Sequence, residues 1–218
     1  MLKAVFFDLY GTLAGFCPSR YEIQSKACAQ FGITVTPDGV LKGYAVADAF
    51  MAEKNACLPI RELDSQGRLD FFSEYERLVL AGSGVDVSMS RGHEIWLRIL
   101  EIPYQMQLFE DVLPVLEQLK KHGLALGVIS NMNLGGATLT KQIGLSSIID
   151  LAVTSAEIGR AKPHPQIFIA ALEQAKAKPE EVVHVGDQIR SDIDGAINAG
   201  IWPVMLDRDR THCDFDRC

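Results

Sequence analysis

From residue 124 onward, short apolar runs take turns with helical stretches, and that alternation narrows the possible folds more than any other feature. LALGVIS at 124–130 and the runs at 148–153, 182–187 and 203–206 read as strands. Between them, 135–143, 165–176 and 189–199 carry helical patterning. Strands alternating with helices point to a parallel sheet covered on both faces. Gly123, Gly144 and Gly200 each sit where a helix should stop, as helix-ending glycines do.

The first strand, residues 2–8, stands far from this series. Between it and residue 123 lie helical-looking segments at 19–31, 38–54, 67–81, 88–100 and 111–122, with breaks at VTPDGV and SGVDVSMSRG. The expected fold is therefore α/β, a three-layer Rossmann-like parallel sheet made of residues 1–14 plus 103–218. An all-α module, 15–102, is inserted after the first strand. A chain of 218 residues has room for one well-buried core and a smaller second module.

The formal net charge of −7 argues against non-specific contact with nucleic acid or an anionic membrane. No apolar stretch approaches the roughly twenty residues of a membrane helix, and no signal-peptide pattern follows MLKAVFF. Five scattered cysteines fit free thiols in a reducing cytosol, so the expected location is cytoplasmic. The closing THCDFDRC places His212, Cys213 and Cys218 together, which could hold a metal, though a mobile polar tail is the default reading.

In open parallel sheets, ligands bind outside the carboxyl ends of the strands. The first strand ends in Asp8, the second in Ser130 and Asn131, and the fourth in Gly186 and Asp187, with Asp192 one turn into the next helix. GRAKPHP carries Lys162 in a loop stiffened by Pro163 and Pro165. Asp8 and Asp187 can hold a hard cation such as Mg²⁺. Ser130 offers a hydroxyl donor and Lys162 a point charge, and together the set suits phosphoryl transfer through an aspartyl intermediate. Singly, each residue has a plainer reading: Ser130 or Asp187 as a cap or turn, Lys162 as a solvated charge, His184 as a satisfied core histidine. Their coincidence at strand ends favours the functional one.

DLYGTL (8–13), VISN (128–131), AKPHPQIF (161–168) and HVGDQIRSDIDGA (184–196) resemble the four motifs of the haloacid dehalogenase superfamily, in members with a helical cap after the first strand. The resemblance implies that Asp8 is the nucleophile and that Mg²⁺ is held by Asp8, the backbone carbonyl of Tyr10 and Asp187. It implies that Asp192 supports the metal shell and that Ser130 and Lys162 grip the phosphoryl group. It also places Thr12 in the hydrogen-bond network of the nucleophile and Asn131 in the catalytic set beside Ser130.

Tyr10 departs from the pattern, since family phosphatases carry an acid/base aspartate there. A phenol with a reference pKa near 10 can donate a proton, but only about 0.1% is tyrosinate at pH 7. Losing a positioned acid/base typically costs about 10² to 10⁴ in rate. The expected activity is Mg²⁺-dependent hydrolysis of a small phosphorylated metabolite, with no nucleic-acid or membrane partner. The alternatives are a 2-haloacid dehalogenase, whose halide needs no proton, and a phosphate-binding scaffold with weak turnover. Arg20, Tyr21, Lys42, Tyr44, Arg61, Trp96 and Arg98 of the inserted module are chemically suited to a phosphorylated ligand. Against that stands their reading as solvated charges and helix-packing aromatics. A monomer and a homodimer both remain open.

Overall fold

The computed structural model describes residues 1–210, so the His212, Cys213 and Cys218 group lies outside the described residues, as does the Arg61 side chain. The chain forms two compact units, Phe16–Gln105 and, separately, Met1–Gly15 joined with the residues from Met106 onward.

The first of these is helical. It holds α1 (Arg20–Ala29), α2 (Pro37–Cys57), α3 (Ser65–Ala81) and α4 (Met89–Glu101). Each begins at a residue whose side chain accepts an otherwise unpaired backbone N–H: Ser19, Thr36, Asp64 and Ser88. Helix α4 buries Gly92, Ile95 and Ile99, one stripe at helical spacing. With Ile23, Val40 and Leu80 these close one core, while Ala47, Phe71, Tyr75 and Val79 make a second. Burying each large apolar side chain contributes roughly 1.5–3 kcal/mol.

Several of the polar candidates are committed inside this unit. Trp96 stacks on Phe72 with ring centroids 4.3 Å apart. Arg20 pairs with Asp48 at 2.7 Å and lies over the Tyr44 ring, and Arg98 pairs with Glu101. Tyr21 is half-buried against the first core, and Lys42 is exposed. Glu76 is fully buried; one carboxyl oxygen accepts from the Gln24 amide, whose own oxygen accepts from Tyr44 at 3.1 Å. The other oxygen, Oε2, meets no hydrogen-bond partner among the described residues. Burial pushes this carboxyl up to about 7.

The described residues contain seven strands: β1 (Ala4–Phe7), β2 (Ala14–Cys17), β3 (Gln105–Leu108), β4 (Ala125–Ser130), β5 (Leu151–Thr154), β6 (Val182–Gly186) and β7 (Trp202–Met205). Five form one sheet in the order β5-β4-β1-β6-β7, every pairing parallel. Strand β1 shows why both faces are covered. Ala4 and Phe6 enter the core that α8 (Pro165–Ala175) builds from Ile167, Phe168, Ala171 and Leu172. Val5 and Phe7 enter the opposite core, with Val112 and Leu116 of α5 (Val112–Lys121) and Leu139 of α6 (Gly136–Gln142). All four β1 residues are buried. Gly123, Gly144 and Gly200 take left-handed φ values of 75°, 76° and 75°.

Two details differ from the sequence reading. Strands β2 and β3 were not expected; they pair as a separate two-stranded sheet where the chain passes between the units. At four residues each, AGFC and QMQL are too short to carry a readable alternation. The expected helix at 189–199 starts as a π-helix, Ile189–Asp194, and continues as α9 (Gly195–Asn198). The Gln188 carbonyl accepts from the N–H groups of both Asp192 and Ile193, at 2.8 and 3.3 Å, which widens the turn. Among the described residues, no helix is long and apolar enough to cross a membrane.

Candidate active site

The parallel sheet gathers the polar residues at its carboxyl edge. Asp8 follows β1 directly, and its N–H is tied to the Val185 carbonyl of β6 at 2.8 Å. Asp187 follows β6, and Asp192 lies in the π-helix behind it. Ser130 ends β4, two residues beyond the Val128–Phe7 pairing, at the same edge as Asp8. Lys162 comes from the loop between α7 (Ser155–Ile158) and α8.

Lys162 is the hub. Only 2% exposed, it donates from Nζ to Asp8 Oδ1 and, at 2.6 Å, to Asp192 Oδ1. Its backbone is clasped by Asn131, whose Oδ1 accepts from the Lys162 N–H at 2.7 Å and whose Nδ2 donates to the Lys162 carbonyl at 3.1 Å. Asn131 thus grips the lysine's main chain.

Asp192 has further donors. The Gln188 N–H reaches its Oδ2 at 3.1 Å, and His184 Nε2 lies 3.0 Å from Oδ1. His184 is fully buried with its ring edge-on to Phe168, and burial holds its pKa below the usual value, so the neutral ring donates through Nε2. The sequence reading of His184 as a core histidine captured its burial and missed its partner. The signal was available: in VVHVG the buried positions alternate, placing His184 on one face with Gly186.

These donors split the two carboxylates. Burial works against ionisation of Asp192, but Lys162 and His184 outweigh it and hold the group down at about 2. Asp8 lacks that help; burial and the neighbouring Asp192 charge push it up to about 6 despite Lys162. Burial likewise opposes the lysine's charge, and the two carboxylates reverse the effect, keeping Lys162 above the usual lysine range. Lys162 therefore serves two acids unevenly: Asp192, which also accepts from His184 and the Gln188 N–H, is held lower than Asp8.

Asp187 approaches from the other side. Thr12, fully buried, lies 3.4 Å from Asp187 Oδ1 through its hydroxyl. Gly11 has φ +87°, and a Cβ there would fall 2.1 Å from Asp187 Oδ2, so only glycine leaves the carboxylate its place. A Cβ on Gly186 would likewise strike Asp192 Cγ at 2.2 Å. Tyr10 bridges Ala14 through its backbone in the same turn. Carboxylate oxygens of Asp8, Asp187 and Asp192 lie within 4.8 Å of one another, spacing that one cation can span. Asp192 already accepts from lysine, histidine and a backbone N–H, so fewer of its lone pairs remain for a cation.

A parallel α/β sheet with a buried aspartate–lysine–aspartate chain at its carboxyl edge defines a class of hydrolase. The chain belongs to the haloacid dehalogenase-like hydrolases, whose family model matches residues 2–200. It is 30% identical to the glyceraldehyde 3-phosphate phosphatase of Methanothermobacter thermautotrophicus over 99% of this chain and 90% of that one. It is 26% identical to the N-acetylmuramic acid 6-phosphate phosphatase of Pseudomonas putida, covering 91% and 80%. Among solved structures, a 2-haloacid dehalogenase of Pseudomonas syringae pv. Tomato matches with TM-score 0.56 and 25% identity over 100% and 92% of the two chains. The HAD hydrolase YfnB of Bacillus subtilis matches in fold with TM-score 0.64 and 16% identity over 95% and 90%.

Proposed function

We propose that this enzyme is a Mg²⁺-dependent phosphomonoesterase of small phosphorylated metabolites, working through an aspartyl-phosphate on Asp8. The observation that carries the reading is the buried chain Asp8–Lys162–Asp192 with Asp187 alongside. When ionised, three carboxylates and one lysine leave two negative charges in a largely buried site, which a divalent cation balances. Asp8, Asp187 and the Tyr10 carbonyl are the residues to hold it, with Asp192 behind them. Once bound, Mg²⁺ neutralises charge on the phosphoryl oxygens. The relatives named as phosphatases support the same class of substrate.

The chain's own residues then account for the two steps. The Asp8 carboxylate attacks phosphorus, the ester oxygen leaves with the bonding pair, and a proton from the Tyr10 hydroxyl or water completes the alcohol. Lys162 and the Ser130 hydroxyl hold the non-bridging oxygens as their charge grows. Water then attacks phosphorus, the Asp8–phosphoryl bond breaks, and inorganic phosphate departs. Tyr10 is a weak acid for the first step, so substrates with good leaving groups are favoured, and it gives the second step no efficient base. The helical module assigned to 15–102 takes the cap's place and selects the substrate. Free thiols at Cys17, Cys28 and Cys57 support a reducing cytoplasm as its location.

A panel of aryl and sugar phosphates with Mg²⁺ tests the proposal. Hydrolysis should stop with chelator and fall at least about 10³-fold in Asp8→Asn; no hydrolysis above that control would sink the reading. Tyr10→Asp should raise kcat by about 10². Dehalogenation is the second reading, favoured by Tyr10 and by the dehalogenase of similar structure. Chelator-insensitive halide release from a 2-haloacid would establish it.

A further inference from the structure

We propose that Arg208 is a positioning residue for this reaction: its guanidinium fixes the Thr12 carbonyl and so holds the turn between Asp8 and Ala14 in place. The role rests on the phosphatase reading, but the contacts stand apart from it.

Arg208 follows β7 and is separated in sequence from everything it touches. Its Nε donates to the Thr12 carbonyl at 3.0 Å, and its Nη2 donates to Asp111 Oδ2 at 2.9 Å. Its guanidinium carbon lies 4.2 Å from the centroid of the Phe109 ring. The partners come from the segments after β1 and β3, so one side chain ties together three chain segments that follow strands. The same ring abuts Gly15, where a Cβ would come within 3.0 Å of Phe109 Cζ.

The turn it holds carries backbone bonds of its own and ties to other segments. Leu13 and Ala14 both donate to the Leu9 carbonyl at 2.8 Å, and Gly11 donates to Ala14. Outward ties run from the Phe109 N–H to Leu13, from Thr12 Oγ1 to Asp187, and from Arg208 to Thr12. This turn carries Gly11 against Asp187, and Tyr10 lies within it. A displacement of about 1 Å in such a site can cost about 10²-fold in rate.

The residue type fits the task. A guanidinium can lay its face on an aromatic ring while two of its edge nitrogens donate in different directions. Lysine can keep the charge opposite Asp111 but cannot serve all three partners. The Asp111 carboxylate is 56% exposed, so that pair alone contributes little, and the bond to Thr12 is the one that matters.

Three variants and one measurement without substrate decide the matter. In Arg208→Gln, kcat should fall about tenfold or more while KM moves less than about threefold. Arg208→Lys should recover little of this, and Asp111→Asn should stay within about threefold of wild type. Amide hydrogen exchange at Gly11, Leu13 and Ala14 should quicken about tenfold or more in Arg208→Gln, with the amides of β6 unchanged. Unchanged kcat, full rescue by lysine, or uniformly faster exchange across the sheet would each overturn the proposal. Exchange needs no turnover. If the wild type hydrolyses no phosphate ester, the phosphatase reading fails while the exchange result still decides whether Arg208 holds the turn.

Discussion

Asp192 in the sheet unit and Glu76 in the helical unit are equally buried, at 1% and 0% exposure, yet their partners differ in kind. Asp192 accepts from a lysine ammonium, a histidine and a backbone N–H, and stays ionised down to about 2. Glu76 has one neutral amide, Gln24, and is pushed up to about 7. A buried carboxyl thus stays charged when the fold supplies a cation and several donors, and takes a proton when it does not. The sheet unit keeps the charge on its buried carboxylate. The helical unit tolerates a polar group that its packing holds in place.

Four substitutions break or sharpen this contrast. The largest effect belongs to Lys162→Met, which strips the cation from Asp8 and Asp192 and should cost about 3–5 kcal/mol in denaturant unfolding. A loss below about 1 kcal/mol would mean that the carboxylates do not depend on it. Next comes Glu76→Gln. The folded pKa of about 7 lies above the reference 4.5, so folding takes up a proton between those values. Stability therefore falls as pH rises through that window, by up to about 3 kcal/mol. The glutamine variant should flatten that slope, leaving wild type and variant closest near pH 4.5 and furthest apart above pH 7. His184→Phe removes one donor from Asp192 beside Phe168 and should cost about 1–2 kcal/mol. Smallest is Lys3→Ala. The Lys3–Glu181 pair spans 2.8 Å, but the lysine is 57% exposed, and its loss should stay below about 0.5 kcal/mol.

The sheet was readable because each strand-to-loop step leaves a mark: an apolar run ends and a polar residue follows. Asp8, Ser130 and Asp187 all stand at such steps, and Lys162 comes just before two stiffening prolines, Pro163 and Pro165. What did not show was partnership across the chain. Nothing local marks Asn131 as the clasp of Lys162, because the bonds run between residues far apart in sequence. Arg208 lies in DRDR, where charge reads as solvated surface, and its link to Thr12 spans 196 positions. The π-turn at 189–194 was hidden for a different reason: it depends on one carbonyl shared by two N–H groups, which side-chain periodicity does not report.

Strand β1 occupies the middle of the five-stranded sheet, yet its neighbours β4 and β6 begin only at residues 125 and 182. During synthesis, Phe6 and Phe7 leave the ribosome long before either flank of their strand exists. At typical elongation rates that wait is on the order of ten seconds. The four helices of Phe16–Gln105 need no such partner from later in the chain to form their own cores. Biogenesis is therefore ordered by topology: the inserted unit can mature first, while the opening strand is an apolar segment in waiting.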